Sequence, residues 1–259
     1  MPYAVVPPQV DRSKPAHQQP EPFLYAGVAR ERDDGIVLRG AQMIATSAVM
    51  ANYLLVTYIT PLAPGDDDYA FCAVVPANAD GLRIHPRRPY GTIATSVTDY
   101  PLSSRFDEID TIVVLEDVFV PWEHVFVHRR VDIVNAQWHD SAAHTLVNFH
   151  TLVRFGVKME FIAGLATKLV ELHGIEKLPP VQTQLGAEIG LIGAQIEALT
   201  HAAETLPLVR NGIARPNPLY IYARRSSRCR HRRAHSPARK PAKSCAAISA
   251  APRRPRTSA

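Results

Sequence analysis

The hydrophobic pattern changes period once along the chain. Between residues 23 and 130, short runs of branched and aromatic residues alternate with turn chemistry, at 23–30, 35–39, 53–59, 70–75, 82–85 and 111–115. Runs of this length and composition predict strands. Arg32-Asp33-Asp34-Gly35 between the first two predicts a hairpin, and 64–68 (PGDDD) and 77–81 (ANADG) predict turns. Residues 118–127, interrupted by Pro121, read as a separate edge strand or a strand and turn. Six or more short strands predict a small barrel or sandwich. Beyond about residue 140 the apolar steps become three and four: Leu146, Phe149, Val153, Val157, Phe161, Leu165, Leu169 and Leu172 predict one long helix, ended by Gly174 and Pro179-Pro180. Leu185, Ile189, Ile192, Ile196, Leu199, Ala203 and Leu206 predict a second, with a heptad-like seam. A short turn joins the two, so they pair antiparallel and begin a bundle. The expectation is that the second helix's seam lies unpaired and exposed.

The first 22 residues follow neither period. Pro2, Pro7, Pro8, Pro15, Pro20 and Pro22 exclude a helix or an inner strand and predict an extended segment laid along something else.

Charge divides the chain a second way. Of its 29 Lys and Arg residues, 12 fall in residues 224–259, which hold no Asp or Glu. The remaining 17 face 24 acidic residues, so the body carries a formal charge of −7 and the last 36 residues alone make the total +5. This reduces the case for nucleic acid as a partner of the body. Residues 224–259 have no periodicity and Ile248 as their only aliphatic side chain larger than alanine, a composition that predicts disorder. It fits the product of a shifted reading frame better than it fits a basic tail for an anionic surface. At 46% hydrophobic and 20% charged, the 259 residues are globular in composition. No apolar run approaches the roughly 20 residues of a membrane span, and no secretory signal is read at the N-terminus. Cys72, Cys229 and Cys245 are too scattered for a disulfide framework, which suits a cytoplasmic protein.

Chemical motifs are few. The glycine fingerprints of nicotinamide and phosphate loops, the H-E-x-x-H and C-x-x-C metal spacings and the G-x-S-x-G elbow are all missing, so no metal is expected. His139, His144 and His150 cluster near the start of the long helix, at spacings poor for shared ligation on one face.

Three strings are more specific: 7–13 (PPQVDRS), 35–47 (GIVLRGAQMIATS), and 99–108 (DYPLSSRFDE) continuing through 118–123 (VFVPWE). Together they resemble the flavin-dependent 4-hydroxyphenylacetate 3-monooxygenase family, chlorophenol monooxygenases included, in order and spacing. The similarity continues into 153–161 (VRFGVKMEF) and covers about residues 3–223. The resemblance implies an α+β, acyl-CoA-dehydrogenase-like fold, with a middle β domain followed by a C-terminal helical bundle. It implies the oxygenase half of a two-component system: a separate NAD(P)H-dependent flavin reductase supplies reduced FAD, which with oxygen hydroxylates a phenol. A homo-oligomer, tetrameric in the family, is implied as well.

Against that family, residues 1–22 correspond to a flavin-lining segment, 23–135 to the β domain and 136–223 to the first bundle helices. Gln9, Val10, Asp11 and Arg12 match residues that line the flavin, and Thr46 a threonine whose hydroxyl lies near the flavin N5. Gln9 offers a donor and an acceptor, and Arg12 a charged fork for flavin or phosphate oxygens. The alternative for this segment is an Asp11–Arg12 pair that merely pins it. Tyr58 and Ile59 fall by the phenol-contacting loop, and residues 103–108 read as a turn held by Arg105 and neighbouring carboxylates. Tyr3 stands where the hydroxyphenylacetate branch has a histidine; the chlorophenol branch places its histidine near the bundle start, matched here by His144 as the catalytic base or hydrogen-bond donor, or by His139 or His150 with a shifted gap.

The family's N-terminal helical domain and the later bundle segment have no counterpart in these residues, so a water-exposed half pocket and an inactive oxygenase are expected. Two other classes stay in view. A hydroxyacyl-CoA dehydratase or isomerase of the same architecture needs cysteine ligands, and none lies between Cys72 and Cys229. A non-catalytic remnant whose basic tail binds anions or nucleic acid is the other.

Overall fold

The computed structural model describes residues 1–222 except Asn211. The expectations for residues 224–259 therefore lie outside the described residues. The chain divides into two compact units, Met1–Asp140 and a second from Ser141 onward.

The first unit is two four-stranded sheets around one core. One sheet joins β2 (Gly27–Arg32), β3 (Gly35–Met43), β7 (Thr111–Pro121) and β6 (Leu82–Pro86), in that order. The hairpin turn at Asp33-Asp34 connects β2 and β3 as the sequence predicts. The other sheet joins β1 (Tyr3–Ala4), β4 (Tyr53–Val56), β5 (Phe71–Pro76) and β8 (Val125–His128). Ile36, Leu38 and Val113 from the first sheet share a fully buried core with Leu54, Val56, Phe71 and Val75 from the second. The short branched and aromatic runs that predict these strands supply the side chains of this core.

One expectation changes. Residues 111–121 form one continuous strand instead of two, the chain running through Glu116 and Asp117 without turning. Asp117 takes a left-handed φ of 55°, and Arg39 grips its carboxylate with two nitrogens, so the strand passes through the irregularity. The N-terminal segment is, as expected, extended and laid along another strand, at the edge of its sheet. Tyr3 and Ala4 pair in parallel with Leu55 and Val56, and Ile59 N donates to Val5 O at 3.1 Å. Val6 then bridges Met43 of the other sheet, with Met43 N donating to Val6 O at 2.6 Å. Residues 3–6 thus staple the two sheets together. Pro2, Pro7 and Pro8 flank this stretch without interrupting it, which is why it can bond on both sides.

Short helix α1 (Tyr90–Ile93) lies in the long β6–β7 connection, and α2 (Val131–Asp140) closes the first unit. Asn135 of α2 bonds the backbone of Leu62 both ways: Leu62 N donates to Oδ1 at 2.8 Å and Nδ2 donates to Leu62 O at 2.9 Å. Gln137 Nε2 donates to Thr57 Oγ1 at 2.8 Å, so α2 holds both ends of the loop that follows β4.

In the second unit, α3 (Ala143–Leu172) and α5 (Leu191–Thr205) are the two predicted helices; α5 is preceded by α4 (Pro179–Leu185) and a π-turn at Gly186–Gly190. Gly174 ends the α3 turn at φ 66°. A short hairpin, β9 (Leu208–Arg210) and β10 (Ile213–Arg215), follows. The exposed face is not the expected one. Ile196 and Ala203 of the α5 seam are buried, and a methyl group on Gly156 of α3 would lie 3.5 Å from Ile196. It is the α3 stripe that is open: Val153, Val157, Phe161, Leu165, Leu169 and Leu172 are all exposed. Helix α3 is apolar on more than one face, the mark of a helix meant for the inside of a bundle.

Candidate functional site

The sheet junction at Val5–Val6 organises the residues marked out by the sequence. From it the chain runs on into residues 7–12, while from its partner Met43 the β3 strand runs on to Thr46. The bridge is antiparallel, so Gln9–Arg12 and Thr46 leave it in opposite directions. At about 3.3 Å per residue, Gln9 and Thr46 lie at most about 20 Å apart, and Arg12, three residues further on, at most about 30 Å from Thr46. Ile59, exposed, lies beside Val5 at the same junction.

Gln9 Nε2 donates back to Pro7 O at 2.8 Å, and Val10 is exposed. Asp11 does not pair with Arg12. Its Oδ1 accepts from Ser13 Oγ at 2.6 Å and from Ser13 N at 2.9 Å, an Asx turn, with Lys14 Nζ 3.7 Å from the other oxygen. The Ser13 hydroxyl is the main reason the Asp11 carboxyl is held below the usual carboxylate range. That overturns the pinning pair and leaves Arg12 exposed, without an acidic partner among the described residues. The segment lies near Tyr25, whose phenol is raised by burial and further by Asp11, with Arg12 acting the other way.

Two residues the sequence reading missed hold this segment. Buried Gln19 donates through Nε2 to Asp11 O at 2.9 Å and Lys14 O at 3.0 Å, tying the 11–15 turn from within. Buried Asp66 accepts from His17 N at 2.9 Å and from Ala63 N at 2.8 Å, with His17 Nδ1 2.7 Å away. Asp66 belongs to the PGDDD turn, and nothing local separates it from its two neighbours.

Thr46 is half-buried on a tightly specified loop. Its hydroxyl donates to Asp110 Oδ1 at 2.5 Å. Ala45 and Thr111 exchange bonds at 3.1 and 2.8 Å, and Ser47 N donates to Ile109 O at 2.9 Å. Ile44 and Ser47 are both left-handed, at φ 59° and 62°. For a branched side chain such as isoleucine this costs of order 1–3 kcal/mol, strain that the surrounding bonds sustain.

Tyr58 and Ile59 part company. Tyr58 is buried, its hydroxyl donates to Ala26 O, and burial raises its phenol well above the ordinary value. It is a core residue here, and only Ile59 offers its side chain outward. The 103–108 turn is held by a different arginine from the one expected: Arg87, not Arg105, pairs with Asp107, whose Oδ2 also accepts from Tyr90 N at 2.9 Å. Arg87 lies 4.1 Å over the Tyr90 ring, and chiefly through its hydrogen bond it holds the Asp107 carboxyl low.

In the second unit His144 stands in the first turn of α3, half-buried, with Nδ1 2.5 Å from the Tyr222 hydroxyl. His139 and His150 are exposed. An open concavity of about 580 Å³, lined by Met1, Met50, Tyr53, Val74 and His124 among others, contains none of the sequence-marked residues. Among the described residues no group of three His, Cys, Asp or Glu side chains could hold a metal, and no helix is long and apolar enough to cross a membrane.

Residues 1–127 match the family described as 4-hydroxyphenylacetate 3-hydroxylase N terminal, and residues 134–234 match its C-terminal counterpart. The chain belongs to the 4-hydroxyphenylacetate 3-hydroxylase family. Within that family it is 37% identical over 220 residues to the (3S)-3-amino-3-(3-chloro-4-hydroxyphenyl)propanoyl-[peptidyl-carrier protein SgcC2] monooxygenase of Streptomyces globisporus, over 83% of this chain and 41% of the relative. It is 33% identical over 188 residues to the 4-hydroxyphenylacetate 3-monooxygenase oxygenase component of Escherichia coli, over 71% of this chain and 36% of the relative. The chain thus spans about two fifths of the length of these curated relatives. Its structure is similar to that of the oxygenase component of 4-hydroxyphenylacetate 3-monooxygenase complexed with FAD and 4-hydroxyphenylacetate, with a TM-score of 0.79 at 31% identity, over 86% of this chain and 46% of that one. The α+β class expected for the 4-hydroxyphenylacetate 3-hydroxylase family is therefore the class of this chain, whose fold is that of the family's oxygenase component.

Proposed function

We propose that this chain carries the flavin-facing β unit and the bundle start of the oxygenase component of a two-component monooxygenase that hydroxylates a phenol. The cofactor is reduced FAD, delivered in the cytoplasm by a separate NAD(P)H-dependent reductase. When bound, the reduced flavin supplies the electrons with which oxygen is activated. The observation that carries the reading is the arrangement around the Val6–Met43 bridge: a half-buried hydroxyl on one side and an exposed guanidinium on the other. In this reading an elongated flavin dinucleotide lies along the junction, with its ring end at Thr46 and its anionic end at Arg12. Gln9 and Val10 line the segment between, Asp11 shapes the turn that presents Arg12, and Ile59 meets the phenol. His144, braced by Tyr222, holds or moves a proton on the substrate hydroxyl. The open α3 stripe supports a homo-oligomer, tetrameric as in the family.

The test is anaerobic titration of the 259-residue chain with reduced FAD, followed by absorbance and fluorescence. Saturable binding that is weakened about tenfold by Arg12→Ala, one charge-assisted contact, supports the reading. Absence of binding overturns it.

A further inference from the structure

A threonine hydroxyl has one proton to give, and in Thr46 it goes to Asp110 Oδ1 at 2.5 Å. What is left on Thr46 Oγ1 is lone pairs, so towards any ligand it can only accept. The geometry leaves little freedom to change this. The Ala45–Thr111 exchange and the Ser47–Ile109 bond fix the backbone on both sides of Thr46. Asp110 is fixed as well, its carbonyl accepting from Arg87 N at 3.0 Å.

Reduced and oxidised flavins differ at the atom a neighbouring hydroxyl would meet. The reduced ring carries a proton on N5 and donates; the oxidised ring has a bare N5 and accepts. An acceptor-only hydroxyl bonds the first and sets a lone pair against a lone pair in the second. We propose that Asp110 is a positioning residue that makes Thr46 an obligate acceptor, and so makes this chain favour reduced over oxidised FAD. The inference rests on the reading of Thr46 as the flavin-facing hydroxyl. It adds a residue outside the three resembling strings and a reason for redox preference at the binding step. Without Asp110 the Thr46 hydroxyl is free to rotate and donate to the oxidised ring, and the preference falls.

The experiment is a double-mutant cycle in the 259-residue chain, reading the ratio of dissociation constants for oxidised and reduced FAD under anaerobic conditions. Wild type is expected to favour the reduced form. Asp110→Ala lowers the ratio about tenfold, the scale of one hydrogen bond gained or lost. Thr46→Val removes the hydroxyl's contribution outright, and Asp110→Ala then has no further effect in that background. Equal weakening of both redox forms by Asp110→Ala, or the same loss with and without Thr46, assigns Asp110 a merely structural role and overturns the inference. If Asp110→Ala does not fold, Thr46→Val alone decides, since an unchanged ratio there overturns it. If wild type binds neither form, the flavin reading itself fails; binding of both forms with equal strength removes only the present inference.

Discussion

Asp66 and His17, 49 residues apart, meet through both the backbone and the ring of the histidine, with the aspartate only 1% exposed. One buried carboxylate thereby fastens residues 9–19 to the β unit. Asp66→Ala leaves the amides of His17 and Ala63 without their acceptor. The expected loss is about 3 kcal/mol, since orphaned buried donors cost roughly 1–3 kcal/mol each and some reach water. Thermal unfolding measures this loss. Limited trypsin digestion gives a local readout, with cleavage after Arg12 expected to precede cleavage within the strands.

The Arg87–Asp107 pair makes a prediction about acid. Asp107's carboxyl is held below its ordinary range, first by the Arg87 hydrogen bond and then by the Tyr90 amide. A lowered value in the folded chain means stability that is present above the unfolded value, about 3.9, and lost as pH falls through the folded one. Asp107→Asn should therefore be less stable than wild type at neutral pH, with the gap closing below about pH 4. A gap that persists undiminished at pH 2.5 would show that the carboxylate's charge is not what holds this turn.

Local chemistry in the sequence predicts the hairpin, most strands and both long helices, because each is set by residues within a few positions. The gap between the 111–115 and 118–127 runs misleads for the same reason: residues 116 and 117 are polar, and long-range pairing with β3, together with Arg39 on Asp117, carries the strand through them. The site residues that escape notice are long-range partners. Asp110 lies 64 residues from Thr46 and Tyr222 lies 78 from His144. The apolar stripe marks α3 as a helix, yet periodicity cannot say which stripe is covered when a helix has more than one. Here Leu152 and Gly156 face α5 and the longer row from Val153 to Leu172 does not.

Asn135 provides a local test of how α2 holds the loop after β4. Its amide satisfies both the N–H and the carbonyl of Leu62. Asn135→Ala should cost about 1–2 kcal/mol. Amide exchange should accelerate at Leu62 and leave Leu54 and Val56 of β4 unchanged. Uniform acceleration across β4 would show instead that the whole sheet depends on α2.

Gly40 tests the bulge that shapes β3 on its way to Thr46. The register between β3 and β7 shifts between Leu38 and Gly40, where φ is 111°. A Cβ placed there would lie 2.2 Å from Tyr25 O and 2.6 Å from Phe23 O, both backbone atoms with no side chain to swing aside. Two costs therefore add in Gly40→Ala: a backbone conformation that L residues avoid, and a steric overlap relieved only by moving the backbone that leads into β2. Destabilisation of about 3 kcal/mol or more is expected, among the largest for a single methyl group. Denaturant unfolding provides the measurement, with Gly164→Ala as the control because nothing lies within 4 Å of the added methyl on α3. That helix substitution should be neutral or stabilising by up to about 1 kcal/mol, since alanine is the better helix former. Similar losses at the two positions would show that the bulge relaxes and does not set the path of β3 towards Thr46.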